Sequence, residues 1–202
     1  VDTLTVTALN MSSLNLVSGA GTLQIVSNNL GTLDTNNTVD TLILNSPVNN
    51  FNLKSSASSI THNTTASNVL NFDPETGASN LVTEANTVNI IDGYQDLNIT
   101  GDNINSITGV LDTLVLDGSL GSGAINLNVD ATYIEISNND ISSVFLTGTR
   151  TVGTLDITSN NVTTIATNEV VISNLDVQVT ANSLNVDSRA ARIETNGSTI
   201  NE

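Results

Sequence analysis

Aliphatic side chains recur along this chain with the alternation of β-strands and a longer period of about 19 residues. The recurring motif is Thr-Leu-x-Ile, and its central aliphatic residue defines ten anchors separated by steps of 16 to 21 residues. The anchors are Leu4, Leu23, Leu42, Ile60, Leu81, Leu97, Leu114, Ile134, Leu155 and Leu175. A period of this length predicts a solenoid, in which each coil buries its apolar side chains only against the coils next to it.

Further apolar columns run in register with the anchors. The residue two positions after the anchor is apolar in eight of the ten coils, with an outward residue between them, which is the alternation of a half-buried strand. A second alternating pair follows about ten residues after the anchor, as in Leu14-x-Leu16 and Val144-x-Leu146. This second column is Leu14, Leu33, Phe51, Leu70, Ile91, Ile107, Ile125, Val144, Ile165 and Leu184. We therefore predict an all-β chain: a single parallel β-solenoid of about ten coils, with two short strands per coil and little or no helix.

Several coils match a longer pattern that includes an asparagine. Residues 20–33 read AGTLQIVSNNLGTL, with Asn28 five positions after the anchor, and Asn139 and Asn160 occupy the same place in later coils. The pattern resembles LxxLxLxxNxLxxL, the repeat of leucine-rich-repeat proteins, and covers the chain from Val1 to about Val186. In a stacked solenoid this asparagine can satisfy backbone groups of neighbouring coils, so we predict an internal asparagine ladder.

Composition and charge narrow the classes of partner. The chain has 4 basic and 20 acidic residues and a net charge of −16, which disfavours nucleic acid and anionic lipid surfaces as partners. It has no cysteine, and no apolar run approaches the ~18 residues of a membrane-spanning helix. Few lysines, abundant asparagine and threonine, and no cysteine are typical of a secreted prokaryotic surface protein, so we expect an extracellular or cell-surface location.

The chain divides into a repeat region and a final segment that breaks the pattern. Residues 1–186 form the predicted repeat solenoid. Residues 187–202 contain Arg189 and Arg192, two of the four basic residues, and are predicted to form a cap or a contact segment. Val1 already occupies the first apolar position of its coil, so the first coil begins without a cap. An exposed solenoid end can pair with another chain or with a second copy.

Two outward columns are candidates for chemistry. The residue before the anchor is serine or threonine in six of ten coils, a pattern of an ordinary solvated strand face or, less favourably, of a regular hydroxyl array for ice or a polymer. The residue after the anchor is Glu135, Asp156 and Asp176 in three successive coils, which makes them a weak candidate site for calcium. Solvated carboxylates are the commoner explanation, and no other cofactor is indicated.

Catalytic residues are not indicated. His62 is the single histidine and falls at an inward position, where it is expected to be a core or turn residue rather than a base. A polysaccharide-acting solenoid remains the least favoured alternative. We expect a non-enzymatic extracellular structural protein, a subunit or segment of a filament, sheath or adhesin that associates with itself. The alternative, which the leucine-rich-repeat resemblance implies, is a recognition module that binds a protein or a glycan on one sheet face.

Overall fold

A computed structural model shows a parallel β-solenoid, as the alternating pattern predicts. It describes residues 1–17, 19–28, 30–35, 39–45, 50–55, 57–63, 69–74, 80–83, 85–91, 96–101, 104–117, 120, 123–137, 141–148, 150–159, 161–168, 170–179, 184–187, 190, 193–195 and 200–201. No helix occurs among these residues. Successive coils are about 19 residues apart, and every described strand pair is parallel. The predicted fold class is confirmed.

Among the described residues, twenty strands form two stacks that face each other across one core. The strands are β1 (Thr3–Ala8), β2 (Met11–Asn15), β3 (Ala20–Ser27), β4 (Leu30–Asp34), β5 (Val39–Asn45), β6 (Asn50–Ser55), β7 (Ser59–Asn63), β8 (Val69–Pro74), β9 (Asn80–Thr83), β10 (Thr87–Ile90), β11 (Asp96–Thr100), β12 (Ser106–Asp117), β13 (Ala124–Ser137), β14 (Ser143–Leu146), β15 (Thr151–Ser159), β16 (Thr164–Ala166), β17 (Val171–Val179), β18 (Leu184–Asp187), β19 (Ile193–Thr195) and β20 (Ile200–Asn201). The first stack contains the odd-numbered strands from β1 to β11, then β12, β13, β15, β17 and β19. The second stack contains β2, β4, β6, β8, β10, β12, β13, β14, β16, β18 and β20.

β12 and β13 belong to both stacks because each continues through a corner of the coil. Elsewhere in the described chain, each coil contributes a separate strand to each stack. β19 and β20 lie in the segment after Asp187 and pair in parallel with β17 and β18. The number of coils differs slightly from the ten predicted. A capping or contact role for residues 187–202 stays a prediction.

The core is a continuous column of aliphatic side chains between the two stacks. The anchors from Leu23 to Leu175 are at most 2% exposed, and the inward residues of the second stack from Leu30 onwards are also buried where they are described. The first anchor, Leu4, is only partly buried because a coil covers it on one side only. Aliphatic side chains fill this narrow space without polar atoms, which is why the chain manages with so few aromatic residues.

The predicted register is wrong where the chain slips by two residues. Leu81 pairs with Ile99 rather than with the predicted anchor Leu97, while Leu97 itself pairs with Leu114. In the second stack Leu33 pairs with Leu53 rather than with Phe51, and Ile165 pairs with Val186 rather than with Leu184. A slip of two keeps every inward side chain inward, so the alternation alone cannot detect it.

Two other second-stack assignments are corrected by the pairing. Leu70 pairs with Val88, and Ile91, predicted as the inward residue, is 45% exposed beyond the end of β10. Ile107 pairs with Leu127 rather than with Ile125. The first error is a slip of three residues, an odd number, and it therefore exchanged an inward position for an outward one.

An asparagine ladder exists, but the structure places it on the outside of the solenoid. Asn71 Nδ2 donates to Asn52 Oδ1 at 2.8 Å, and Asn89 Nδ2 donates to Asn71 Oδ1 at 2.9 Å, across three paired strands of the second stack. Asn28 lies exposed at the bend after β3 and is not part of this outer ladder. Asn139 and Asn160 lie outside the described residues, and their role stays a prediction.

Buried hydroxyls, rather than asparagine, satisfy the backbone where several strands end. Ser55 Oγ accepts the N–H of Ala57 at 3.1 Å, Thr83 Oγ1 accepts that of Ala85 at 3.2 Å, and Ser159 Oγ accepts that of Asn161 at 3.2 Å. Each is the turn in which a hydroxyl bonds the backbone two residues on. Serine and threonine are small enough to make this bond inside the column, where they are at most 2% exposed.

The coil-on-coil core predicts a strong dependence of stability on position along the stack. Leu114→Ala should lower the free energy of unfolding by about 2–5 kcal/mol, because it opens a cavity between two fully covering coils. Leu4→Ala should cost about 1 kcal/mol, because Leu4 is already partly solvated. Chemical denaturation followed by circular dichroism measures both. Equal losses at the two positions would contradict the neighbour-by-neighbour burial described here.

Candidate functional site

The three acidic residues after the anchors form one column on the outer side of the first stack. Glu135 on β13 pairs with Asp156 on β15, which pairs with Asp176 on β17. All three side chains are half-buried among outward neighbours. The backbone register continues the column to Glu194 on β19. The structure therefore brings the predicted site residues together on successive coils, about 4.8 Å apart.

Two of these carboxylates accept hydrogen bonds from neighbouring side chains, one from the adjoining coil and one from within the same strand. The hydroxyl of Tyr133 donates to Asp156 Oδ2 at 3.1 Å, and Ser137 Oγ donates to Glu135 Oε1 at 2.9 Å. Two carboxylate oxygens of the column, Asp156 Oδ1 and Asp176 Oδ1, are buried and meet no hydrogen-bond donor among the described residues. Tyr133 and Ser137 flank Glu135 in sequence, so the alternation of β13 aligns all three on one face.

The negative charges of the acidic column repel one another. Burial raises the pKa of Asp156, and the negative charges of Asp176 and Glu135 add to this, while the hydrogen bond from Tyr133 acts in the opposite direction. Burial, followed by the charge of Asp156, raises the pKa of Tyr133 to about 12. Tyr133 is therefore a neutral donor at any physiological pH.

The three carboxylates are not grouped around one point. Calcium takes six to eight oxygens converging on one point, whereas these carboxylates are spread along the stack and two are engaged sideways. In the part of the chain that the structure describes, no three acidic or histidine side chains are grouped to hold a metal ion. Calcium at Glu135, Asp156 and Asp176 stays a prediction from the sequence alone.

A second acidic group lines an open groove of about 350 Å³ at the corner between the two stacks. Asp112, Asp130 and Thr132 line it, and Arg150 Nη1 contacts Asp130 Oδ2 at 2.7 Å. A hydrogen bond from the Thr151 backbone N–H, together with the bond from Arg150, lowers the pKa of Asp130. Sequence reasoning missed this pair, because Arg150 and Asp130 are a whole coil apart and belong to no apolar column. Asp130 is a paired, ionised carboxylate that joins two coils.

His62 occupies an inward position, as expected. It is fully buried between Leu44 and Thr83 of the adjoining coils, and its Nδ1 lies 3.1 Å from Thr83 Oγ1. A fully buried imidazole cannot reach a substrate at the surface. The expectation that the chain is not an enzyme stays a prediction.

Comparisons with protein-family models, with curated proteins and with solved structures find no match for this chain. The leucine-rich-repeat resemblance is therefore not supported by any family match, and what stands is a β-solenoid of coils about 19 residues apart. Among the described residues there is no helix with the length and apolar character to cross a bilayer.

The acidic column predicts a substitution that increases stability. Asp156→Asn should raise the free energy of unfolding at pH 7 by up to about 1 kcal/mol, because it removes one of three aligned charges and keeps an acceptor for Tyr133. Since folding raises the pKa of Asp156, the native state favours its protonated form, and the carboxylate destabilises the fold only when ionised. The gain should therefore shrink as the pH falls towards the ordinary value of 3.8.

Denaturant unfolding at several pH values measures this dependence. Asp117→Asn is the matched control, because Asp117 is exposed on the same outer face, and its change should stay within about 0.5 kcal/mol. A loss of stability in Asp156→Asn at neutral pH would show that the column is held together by something that needs the charge.

Proposed function

We propose that this chain is an extracellular structural protein that associates end to end, as a subunit or segment of a filament, sheath or adhesin. One observation carries the proposal: the inward side chains of the first described coil are only partly buried. Leu4, Val6, Met11 and Leu14 are partly buried, whereas the residues paired with them in the next coil, Leu23, Ile25, Leu30 and Leu33, have no exposed surface. Covering those side chains with another coil would stabilise the contact through the same burial that holds the coils together.

The direction of the strands supports a head-to-tail contact. β1 and β2 each pair on one side only among the described residues, and so do β19 and β20 at the other end. Because every described strand runs in the same sense along its stack, moving one copy along the rod places β19 and β20 against β1 and β2 with parallel polarity. A heterologous contact of this kind does not close on itself, so it produces a filament.

Net charge favours the ends over the sides as the contact. With a formal charge of −16, two copies repel each other along their acidic flanks. The apolar end of β1 and β2 carries few charges, so association there avoids most of that repulsion. Screening by salt should strengthen association further. The extracellular location is supported by composition, chiefly the absence of cysteine and the scarcity of lysine.

The open end gives a direct test of polymerisation. The molar mass of the purified protein should increase with protein concentration and with added salt, as measured by light scattering after size-exclusion chromatography. The assemblies should appear as rods in negative stain. Met11→Lys places a charge on the inward side of the open coil and should abolish growth, while Ser12→Lys, on the exposed side of the same strand, should leave it unchanged.

Circular dichroism shows whether each variant keeps its strands. A wild-type chain that stays monomeric at high concentration and high salt would rule out end-to-end association. Equal assembly by wild type and a folded Met11→Lys variant would rule out the proposed end as the contact.

A further inference from the structure

The outer side of the first stack changes its chemistry along the rod. In β1, β3, β5, β7 and β9 the outward side chains at the paired positions are uncharged, consisting of threonine, serine, asparagine, glutamine, valine or isoleucine. We call these outward side chains the neutral face. From β12 onwards the same side of the stack carries Asp117 and the acidic column. Asp2 and Asp40 lie at the corner that precedes the neutral face, outside its outward positions.

Hydroxyls and alkyl groups lie in ordered columns on the neutral face. Thr3, Thr22, Thr41 and Ser59 pair in sequence, which gives four hydroxyls one strand apart. The neighbouring column contains Ile43, Thr61 and Val82 in successive coils. Val82 is 43% exposed, unusually high for an aliphatic side chain in a strand interior. The face is therefore able to donate and accept hydrogen bonds and is interleaved with apolar groups.

Charge selects the kind of occupant. The chain carries 20 acidic residues, and within these five strands only Asp40, exposed near the start of β5 and outside the paired columns, is acidic. A cationic partner would be attracted to the acidic column instead, and an anionic one would be repelled by the molecule as a whole. An occupant of the neutral face gains nothing from charge and should itself be uncharged.

Area argues against a folded protein as the occupant. Five strands at about 4.8 Å spacing and about 3.3 Å per residue give a face of roughly 350 Å². A stable protein interface takes about 800 Å² from each partner. A second copy would have to extend over the acidic column, where like charges repel. A narrow, extended chain molecule fits the area that is present.

We propose that the neutral face binds an uncharged, hydroxyl-rich polymer, that is, a neutral polysaccharide. The hydroxyls of Thr22, Thr41 and Ser59 provide donors and acceptors for sugar hydroxyls. Ile43 and Val82, with the threonine methyl groups, provide apolar contact for the C–H faces of sugar rings. Binding at this face is independent of the end contact proposed above and involves different residues.

Retention on insoluble neutral polysaccharides tests this assignment. The wild-type chain should be depleted from solution by at least one of cellulose, chitin, mannan and β-1,3-glucan, and the depletion should persist at high salt, because no ion pair is involved. Thr41→Lys/Thr61→Lys should weaken retention by about tenfold or more, since each substitution buries an unpaired ammonium under the ligand. The matched control, Thr154→Lys/Thr158→Lys, changes the net charge equally on the acidic half of the same stack and should leave retention unchanged.

Each contrary result overturns the proposal. Absence of retention on all four polymers, or equal loss in both double variants, shows that the neutral face is not a polysaccharide site. Retention that disappears at high salt shows that charge drives it. If the Thr41/Thr61 variant instead changes the molar mass of the chain and leaves retention intact, the face contacts protein. Because the Met11→Lys variant alters only the end of the stack, polysaccharide retention and polymerisation can fail separately.

Discussion

Parallel pairing of each coil with the next is the constraint on which the rest of this structure depends. A single coil of about 19 residues has two short strands and cannot exclude water from its own aliphatic residues. Once stacked, the anchors lose nearly all contact with solvent, the strand edges are paired, and the outward residues are arranged in columns. The inward column provides stability, while the outward columns are free to vary and so carry any recognition chemistry.

That division explains why polar groups inside the column are so restricted. The described polar groups of the interior are mostly small hydroxyls, and Ser55 and Thr83 each bond the backbone two residues on. Asparagine has a longer side chain and is found instead on the outside, where Asn52, Asn71 and Asn89 align their amides along the rod. Short hydroxyl side chains therefore lie inside the column, and the longer asparagine amides lie outside it, because the two kinds of hydrogen bond need different amounts of space.

The sequence was sufficient to predict the fold class because inward and outward positions alternate in nearly every coil. It was insufficient to predict the register between Leu81 and Ile99, since a shift of two residues leaves all side chains on their proper sides. The acidic column of Glu135, Asp156 and Asp176 followed from spacing alone, but its bonds from Tyr133 and Ser137 depend on side-chain geometry. The Arg150–Asp130 pair lies outside the repeating columns, and only coordinates could reveal it. The uncharged character of the neutral face was already present in the residue list, but it becomes visible only when outward residues are read along the stack.

The slip between β9 and β11 gives the rod a mechanical weak point. Only three described residue pairs join these strands, compared with eight between β15 and β17. Three pairs also join β10 to β12, so fewer described residue pairs cross this level than any other except the last, where β19 and β20 pair with β17 and β18. Tension along the axis would therefore part the interior coils there. The slip between β9 and β11 also lies where the neutral face ends and the acidic part of the same stack begins. A pulled rod would therefore separate into two blocks of different surface chemistry, each with its own stack intact.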